Sequence, residues 1–175
     1  MDFFELIRDR RSVRSYRGTK LDPSKIALIM EAVRAAPSAG NLQSYRVAVV
    51  EEPKLKNGLV QAAGGQQFLG SAPALLVFFA DLERSAARYG DRGRALFAIQ
   101  DATVAAAYAQ LAVAALGLAA CWVGAFSDDD VARVLAAPPG FRPVAMLSIG
   151  NAAEAPRRPA RRRIEALFKH GRLKP

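Results

Sequence analysis

Arg10-Arg11-Ser12-Val13-Arg14-Ser15-Tyr16-Arg17 is a dense run of guanidinium and hydroxyl groups. Guanidinium presents planar, permanently charged donors that match phosphate oxygens, and serine adds a neutral donor. Taken alone, such a run also fits a solvated charged loop. A second stretch, Ala36-Pro37-Ser38-Ala39-Gly40-Asn41-Leu42-Gln43, offers short polar side chains and backbone amides to a polar ligand, or is a helix-stop turn. A third, Gly117-Leu118-Ala119-Ala120-Cys121-Trp122-Val123-Gly124-Ala125-Phe126, ends a strand in small residues that let a flat ligand approach the backbone, or is a strand end with a packing tryptophan. A fourth, Arg157-Arg158-Pro159-Ala160-Arg161-Arg162-Arg163, can meet a phosphate, a nucleic-acid backbone or only water.

The net charge of +9 is confined to the two ends of the 175-residue chain. Residues 1–20 carry six basic and three acidic side chains, and residues 157–175 carry eight and one. The middle, 21–156, is nearly balanced, with eleven basic and twelve acidic. This argues against a uniformly basic nucleic-acid coat, though not against a terminal patch. The one cysteine, Cys121, can form no internal disulfide and suits a reducing compartment. No Cys/His cluster suggests a metal. His170, the one histidine, reads as a surface side chain of the tail. The opening MDFFELIRDRR is charged too early for a signal peptide, so a cytoplasmic location is expected.

The elements that must position these groups follow from periodicity. Phe3, Leu6 and Ile7 predict a helix over 2–10. Asp22 and Pro23 read as an N-cap and first-turn proline for a helix to about residue 35, which Pro37 stops. Strands are predicted at 47–50, 74–80, 119–123 and 144–149; ALLVFFA at 74–80 reads as buried on both faces. Helices are predicted at 53–63, at 95–116, and from Ser127 to Leu135, where Asp130 completes a capping-box pattern. Residues 81–94 read as a surface loop or short lid helix. With 51% hydrophobic residues and no internal boundary, 1–175 is expected to be a single domain with a basic C-terminal tail at 157–175. Four strands interleaved with helices give an α/β or α+β class with a single central sheet flanked by helices.

Residues 102–127 are uncharged and long enough to span a bilayer. Alanine gives little transfer energy into lipid but packs helices closely, so a buried helix followed by a strand is expected. Alanine on nearly every face implies protein on all sides, which a domain of this size hardly supplies. A dimer with this helix near the interface follows; a G+C-rich coding bias is the plainer explanation of the alanines.

In their order, these motifs resemble the FMN-dependent nitroreductase family. The matching segments are RRSVR (10–14), APSAGNLQ (36–43), AP (72–73), GLAACWVGAF (117–126), SIG (148–150) and RRRIEAL (161–167), collinear over nearly the whole chain. The resemblance implies a nitroreductase-like mixed central sheet and a homodimer with two FMN sites at the interface. It implies that Arg10, Ser12 and Arg161 hold the FMN phosphate, with Arg11 and Arg163 as further candidates, and that Arg14 lies toward the ribityl chain and pyrimidine edge. Pro37, Ser38 and Asn41 would come from the other subunit. Gly124 and Ala125 would lie against the ring near N5, and Gln66 at the pyrimidine edge.

The implied activity is ping-pong electron transfer from NAD(P)H through FMN to nitroaromatic, quinone or similar acceptors. The flavin carries the chemistry, so no catalytic protein residue and no metal is assigned. A dehalogenase, enone reductase or flavin-destroying enzyme of the same fold, a silent FMN-binding scaffold, and a nucleic-acid-binding protein are the alternatives; neither nucleic acid nor membrane is the expected partner. Two departures stand out. The segment 81–94 is short where larger members cover the flavin, and Ser44-Tyr45 replaces a common Pro-Trp.

Overall fold

Side chains at the chain's turns fix where its helices begin. In the computed structural model, which describes residues 2–172, Asp2 accepts from the Phe4 and Glu5 amides and Glu5 returns the bond, so α1 (Phe3–Asp9) opens on a full capping box. After β1 (Tyr16–Arg17), Asp22 accepts from the Ser24 amide and Pro23 starts α2 (Pro23–Arg34). There follow β2 (Tyr45–Val50), α3 (Pro53–Ala62), α4 (Phe68–Ser71) and β3 (Ala74–Asp81). Asp81 then caps α5 (Leu82–Arg92), a π-helical turn spans Gly93–Phe97, and α6 (Ala98–Ala115) runs to the loop before β4 (Ala119–Val123). Ser127 caps α7 (Asp128–Val134) through the Asp130 amide alone; the Asp130 carboxylate turns to Arg133, so the capping box is half made. The last strand is β5 (Phe141–Ala152). Met1 and residues 173–175 of the basic tail lie outside the described residues.

β5 pairs with β3 through Ala74–Ile149 and with β4 through Ala120–Ile149, so these two strands flank it. β2 extends the sheet beyond β3, and β1 joins the end of β5. Every ladder is antiparallel; the one parallel pairing among the described residues is the bridge between Ser12 and Ala120, and the expected mixed character of the sheet rests on it alone.

Alternation along β3 explains its unbroken apolar run. Leu75, Val77 and Phe79 face a core with Leu59, Val60, Leu69 and Val131 of α3, α4 and α7. Leu76 and Phe78 face the other core, with Ile29 and Val33 of α2 and Ala105, Ala106, Ala109 and Val113 of α6. The sheet is thus a middle layer between two helical layers. By length and composition the stretch Leu82–Ala115 would also pass as a membrane span. Instead, one face of α6 packs on the sheet with Ala98, Ala102, Ala105 and Ala109 fully buried, while Ala107, Tyr108 and Ala115 are exposed.

The long helix starts later than its composition suggests. Gly93 sits so close to α5 that a Cβ there would collide with the Ser85 carbonyl, and the π turn absorbs the crowding. Segment 81–94 is accordingly a helix joined to this turn by the Glu83–Arg94 ion pair and by Tyr89 packing edge-on to Phe97 at 5.1 Å.

The segment after α1 is tied to the sheet by a buried hydroxyl network. The Val13 amide donates to Ala120 O at 3.1 Å. Tyr16 Oη donates to Val13 O at 2.6 Å and lies 2.7 Å from Ser148 Oγ. Gly150 makes room for the ring: a Cβ there would stand 2.9 Å from Tyr16 Cδ1 and 2.6 Å from Pro73 Cδ. Burial raises the Tyr16 pKa well above its ordinary value and also raises that of the Cys121 thiol. Folding therefore favours the protonated forms, and stability falls as pH rises past the unfolded-state values of about 8.5–10. Tyr16→Phe should lose about 1–2 kcal/mol at pH 8. Its stability should then fall less steeply than wild type between about pH 9.5 and 11, as read by denaturant unfolding.

Candidate functional site

α1 ends where the cationic run begins, and the tail returns to the same place. Ile7, Arg8, Arg10, Arg11, Ser12 and Arg14 line a cleft of about 450 Å³ with Pro156, Arg157, Arg158, Pro159 and Arg161. The two basic ends of the chain thus converge. Arg11 spends one guanidinium nitrogen on the Arg8 and Arg10 carbonyls, at 2.6 and 2.9 Å, closing the C-terminal turn of α1. Arg10 is half-buried; desolvation first, then its neighbours Arg161 and Arg11, lower its pKa from the ordinary arginine value. Among the described residues no carboxylate forms an ion pair with Arg10, Arg11, Arg14 or Arg161. The Glu154 carboxylate takes the Arg14 main-chain amide instead, at 2.6 Å. Guanidinium groups gathered without a counter-ion, beside the Ser12 hydroxyl, form a donor set suited to a phosphate dianion.

β4 ends at exposed Gly124 and Ala125. Gln66 Nε2 donates to Ala125 O at 3.2 Å and to Ala63 O at 3.1 Å, which joins Gln66 to the strand end and leaves its carbonyl oxygen for other donors. The Arg14 guanidinium stands 5.8 Å from the centre of the Phe68 ring. An exposed backbone edge beside small residues accepts a flat ring, so the phosphate donors and the strand end together fit FMN.

The third group lies elsewhere. Pro37, Ser38 and Ala39 line an open pocket of about 510 Å³ with Phe97, Gln100, Asp101, Thr103 and Val104. Ser38 Oγ accepts from the Gln43 amide at 2.9 Å, and Asn41 Oδ1 accepts from Gln43 Nε2 at 3.2 Å. This pocket shares no lining residue with the arginine cleft. One protomer therefore brings Arg10, Arg11, Ser12, Arg14 and Arg161 together, and Gln66 with Gly124 and Ala125, but does not bring Pro37, Ser38 and Asn41 to them. Arg163 is 92% exposed, pairs weakly with Glu165 at 3.9 Å, and does not line the cleft.

Sequence reasoning overlooked the residues that hold these groups. Tyr16 and Ser148 anchor the cationic run, and Asp101, Arg84 and Arg88 bond the 37–43 loop. Asp101 had a legible signal, as the carboxylate heading the uncharged run 102–127. Ser44 is fully buried and gives its amide to Asp101, a bond that a proline at this position lacks the N–H to make; Tyr45 Oη donates to Val33 O at 2.9 Å.

The nitroreductase family model matches residues 7–67 and 56–151. A Thermus thermophilus protein named NADH dehydrogenase is 30% identical over 172 residues, covering 83% of this chain and 84% of that protein. A Bacillus subtilis protein named FMN reductase NAD(P)H is 30% identical, covering 83% of this chain, which spans 64% of that relative's length. The solved structure of the NfrA1 nitroreductase from Bacillus subtilis superposes with a TM-score of 0.90 at 26% identity, over 96% of this chain and 73% of that one.

Inorganic phosphate should raise the melting temperature of the flavin-free protein, since a ligand bound at tenfold above its Kd adds about 1.4 kcal/mol. Arg10→Ala with Arg161→Ala should remove that rise.

Proposed function

Because the chain belongs to the nitroreductase family, we propose that it is an FMN-dependent oxidoreductase that uses NAD(P)H to reduce nitroaromatics, quinones or similar small acceptors. It works as a cytoplasmic homodimer, and residues 1–175 form one FMN-binding domain. The observation that carries this reading is a cleft of guanidinium groups with no carboxylate ion-paired to Arg10, Arg11, Arg14 or Arg161 among the described residues, in a chain whose β4 also ends on an exposed edge. FMN, when bound, would supply the redox chemistry, hydride transfer from the nicotinamide and electron transfer to an acceptor.

The chain's own residues bind and orient. Arg10, Ser12 and Arg161 hold the phosphate, with Arg11 closing the helix turn behind them. Arg14 stands as a cation toward the pyrimidine edge, where negative charge grows on reduction. The backbone at Gly124 and Ala125 offers a donor and leaves room for the ring. No protein acid is required. The Cys121 thiol is buried and its pKa is raised, so it remains protonated at neutral pH and is no nucleophile.

The separation of the two half-sites along α6 supports the homodimer. The loop pocket uses Gln100, Asp101, Thr103 and Val104, near the start of the helix. A cavity adjoining the arginine cleft uses Gln110, Ala114 and Gly117, at its other end. Exposed Tyr108 lies between. A two-fold axis near Tyr108, with two copies of α6 antiparallel, would set each loop pocket against the other protomer's arginine end. Phe3, Phe4 and Ile7 of α1 and Ile164, Leu167 and Phe168 of the tail add exposed apolar surface for a second copy.

The purified protein saturated with FMN should show flavin absorption bands that anaerobic NADPH or NADH bleaches and a quinone restores. Absence of bound flavin would sink the reading. Arg10→Ala with Arg161→Ala should weaken FMN binding about a hundredfold without unfolding the protein, taking roughly tenfold for each lost charged contact.

A further inference from the structure

The loop between α2 and β2 holds an uncommon backbone shape. Gly40, Asn41 and Gln43 all have left-handed φ, at 56, 57 and 51°, and two of the three carry a Cβ. Such a shape persists only where surrounding bonds determine it. Those bonds come from elements distant in sequence. Asp101 of α6, 4% exposed, accepts from the Ala39 amide at 2.9 Å through Oδ1 and from the Ser44 amide at 3.4 Å through Oδ2. Arg84 and Arg88 of α5 donate to Leu42 O at 2.5 Å and Gly40 O at 3.3 Å. The loop's amides are thus held by a carboxylate and its carbonyls by two guanidiniums.

Asp101 has no cationic partner among the described residues. A buried carboxylate without a cation is costly, and apolar replacement of buried charge is often tolerated or favourable. Its hydrogen bonds all run to the loop, which already touches the pocket at Pro37, Ser38 and Ala39. Arg84 and Arg88 couple α5 to that same loop, so helix and loop form one unit.

We propose that Asp101 is a positioning residue that presets the 37–43 loop in the shape that receives the flavin of the partner subunit, with Arg84 and Arg88 latching α5 to it. This inference rests on the flavin-site reading above. Asp101→Asn preserves size but turns an amide donor toward one of the two backbone N–H groups. In the flavin-free protein, hydrogen exchange at the Ala39 and Ser44 amides should quicken at least tenfold. FMN affinity should fall at least tenfold, and the visible circular dichroism of flavin at saturation should change shape. Arg84→Ala with Arg88→Ala, both surface changes, should weaken FMN binding about threefold and decides the matter if the Asp101 variant fails to fold.

Faster loop exchange with unchanged FMN affinity and flavin dichroism would overturn the proposal and leave Asp101 a core residue. Unchanged exchange and affinity in the arginine variant would overturn the latch. If the wild-type chain takes up no FMN, the flavin-site reading fails and the flavin half of the proposal with it. Quickened Ala39 and Ser44 exchange in Asp101→Asn would still support the loop restraint.

Discussion

Guanidinium groups repel one another, and this fold nevertheless gathers Arg10, Arg11, Arg14 and Arg161 around one cleft with no carboxylate ion-paired to any of them among the described residues. Salt weakens that repulsion over roughly 10 Å but does not remove it at closer range. The backbone must therefore be held by other means. Leu6 is buried, Val13 bonds to Ala120 across the parallel bridge, and the Tyr16 hydroxyl reaches Val13 and Ser148. These contacts place uncompensated charge where a small anion gains most. Seven of the fourteen basic side chains at the two ends of the chain line this one cleft.

The 37–43 loop is built with the opposite charge. A single buried carboxylate, Asp101, organises amide donors of the 37–43 loop, and α5 closes on the loop's carbonyls. α6 ties the two halves together. Its Asp101 end serves the loop and its Ala114 end borders the arginine side, while its alanines let it lie close to the sheet. With a rise of about 1.5 Å per residue, the ten residues from Val104 to Ala114 keep the halves roughly 15 Å apart along the helix. The same spacing that separates them in one protomer would bring them together across a two-fold axis.

The elements with strong local signals were legible in the sequence. Asp22-Pro23 caps its helix as expected, and ALLVFFA is buried on both faces. The order of motifs also picked out the arginine run and the Gly124 strand end, which the fold presents as a cleft and an exposed edge. What escaped detection depended on contacts distant in sequence. β1 has only two residues and exists because β5 extends far enough to pair with it. The π turn sits where Gly93 approaches Ser85 too closely for any Cβ, a long-range constraint that periodicity does not register. Arg163 stood in a promising run, but the tail turns it to solvent. Asp101 was visible as an isolated charge, yet its role needs the fold that carries Ala39 and Ser44 to it.

The central claim is that each flavin site takes its arginine cleft from one protomer and its loop from the other. Mixed dimers test it directly. A protomer carrying Arg10→Ala and Arg161→Ala would be paired with one carrying Asp101→Asn, and the tightly bound FMN per mixed dimer counted. A site shared between protomers predicts one site of wild-type affinity and one doubly impaired, because the intact cleft of the second protomer meets the intact loop of the first. Two weakened sites, one carrying each lesion, and none of wild-type affinity would place each flavin within a single protomer and contradict the claim.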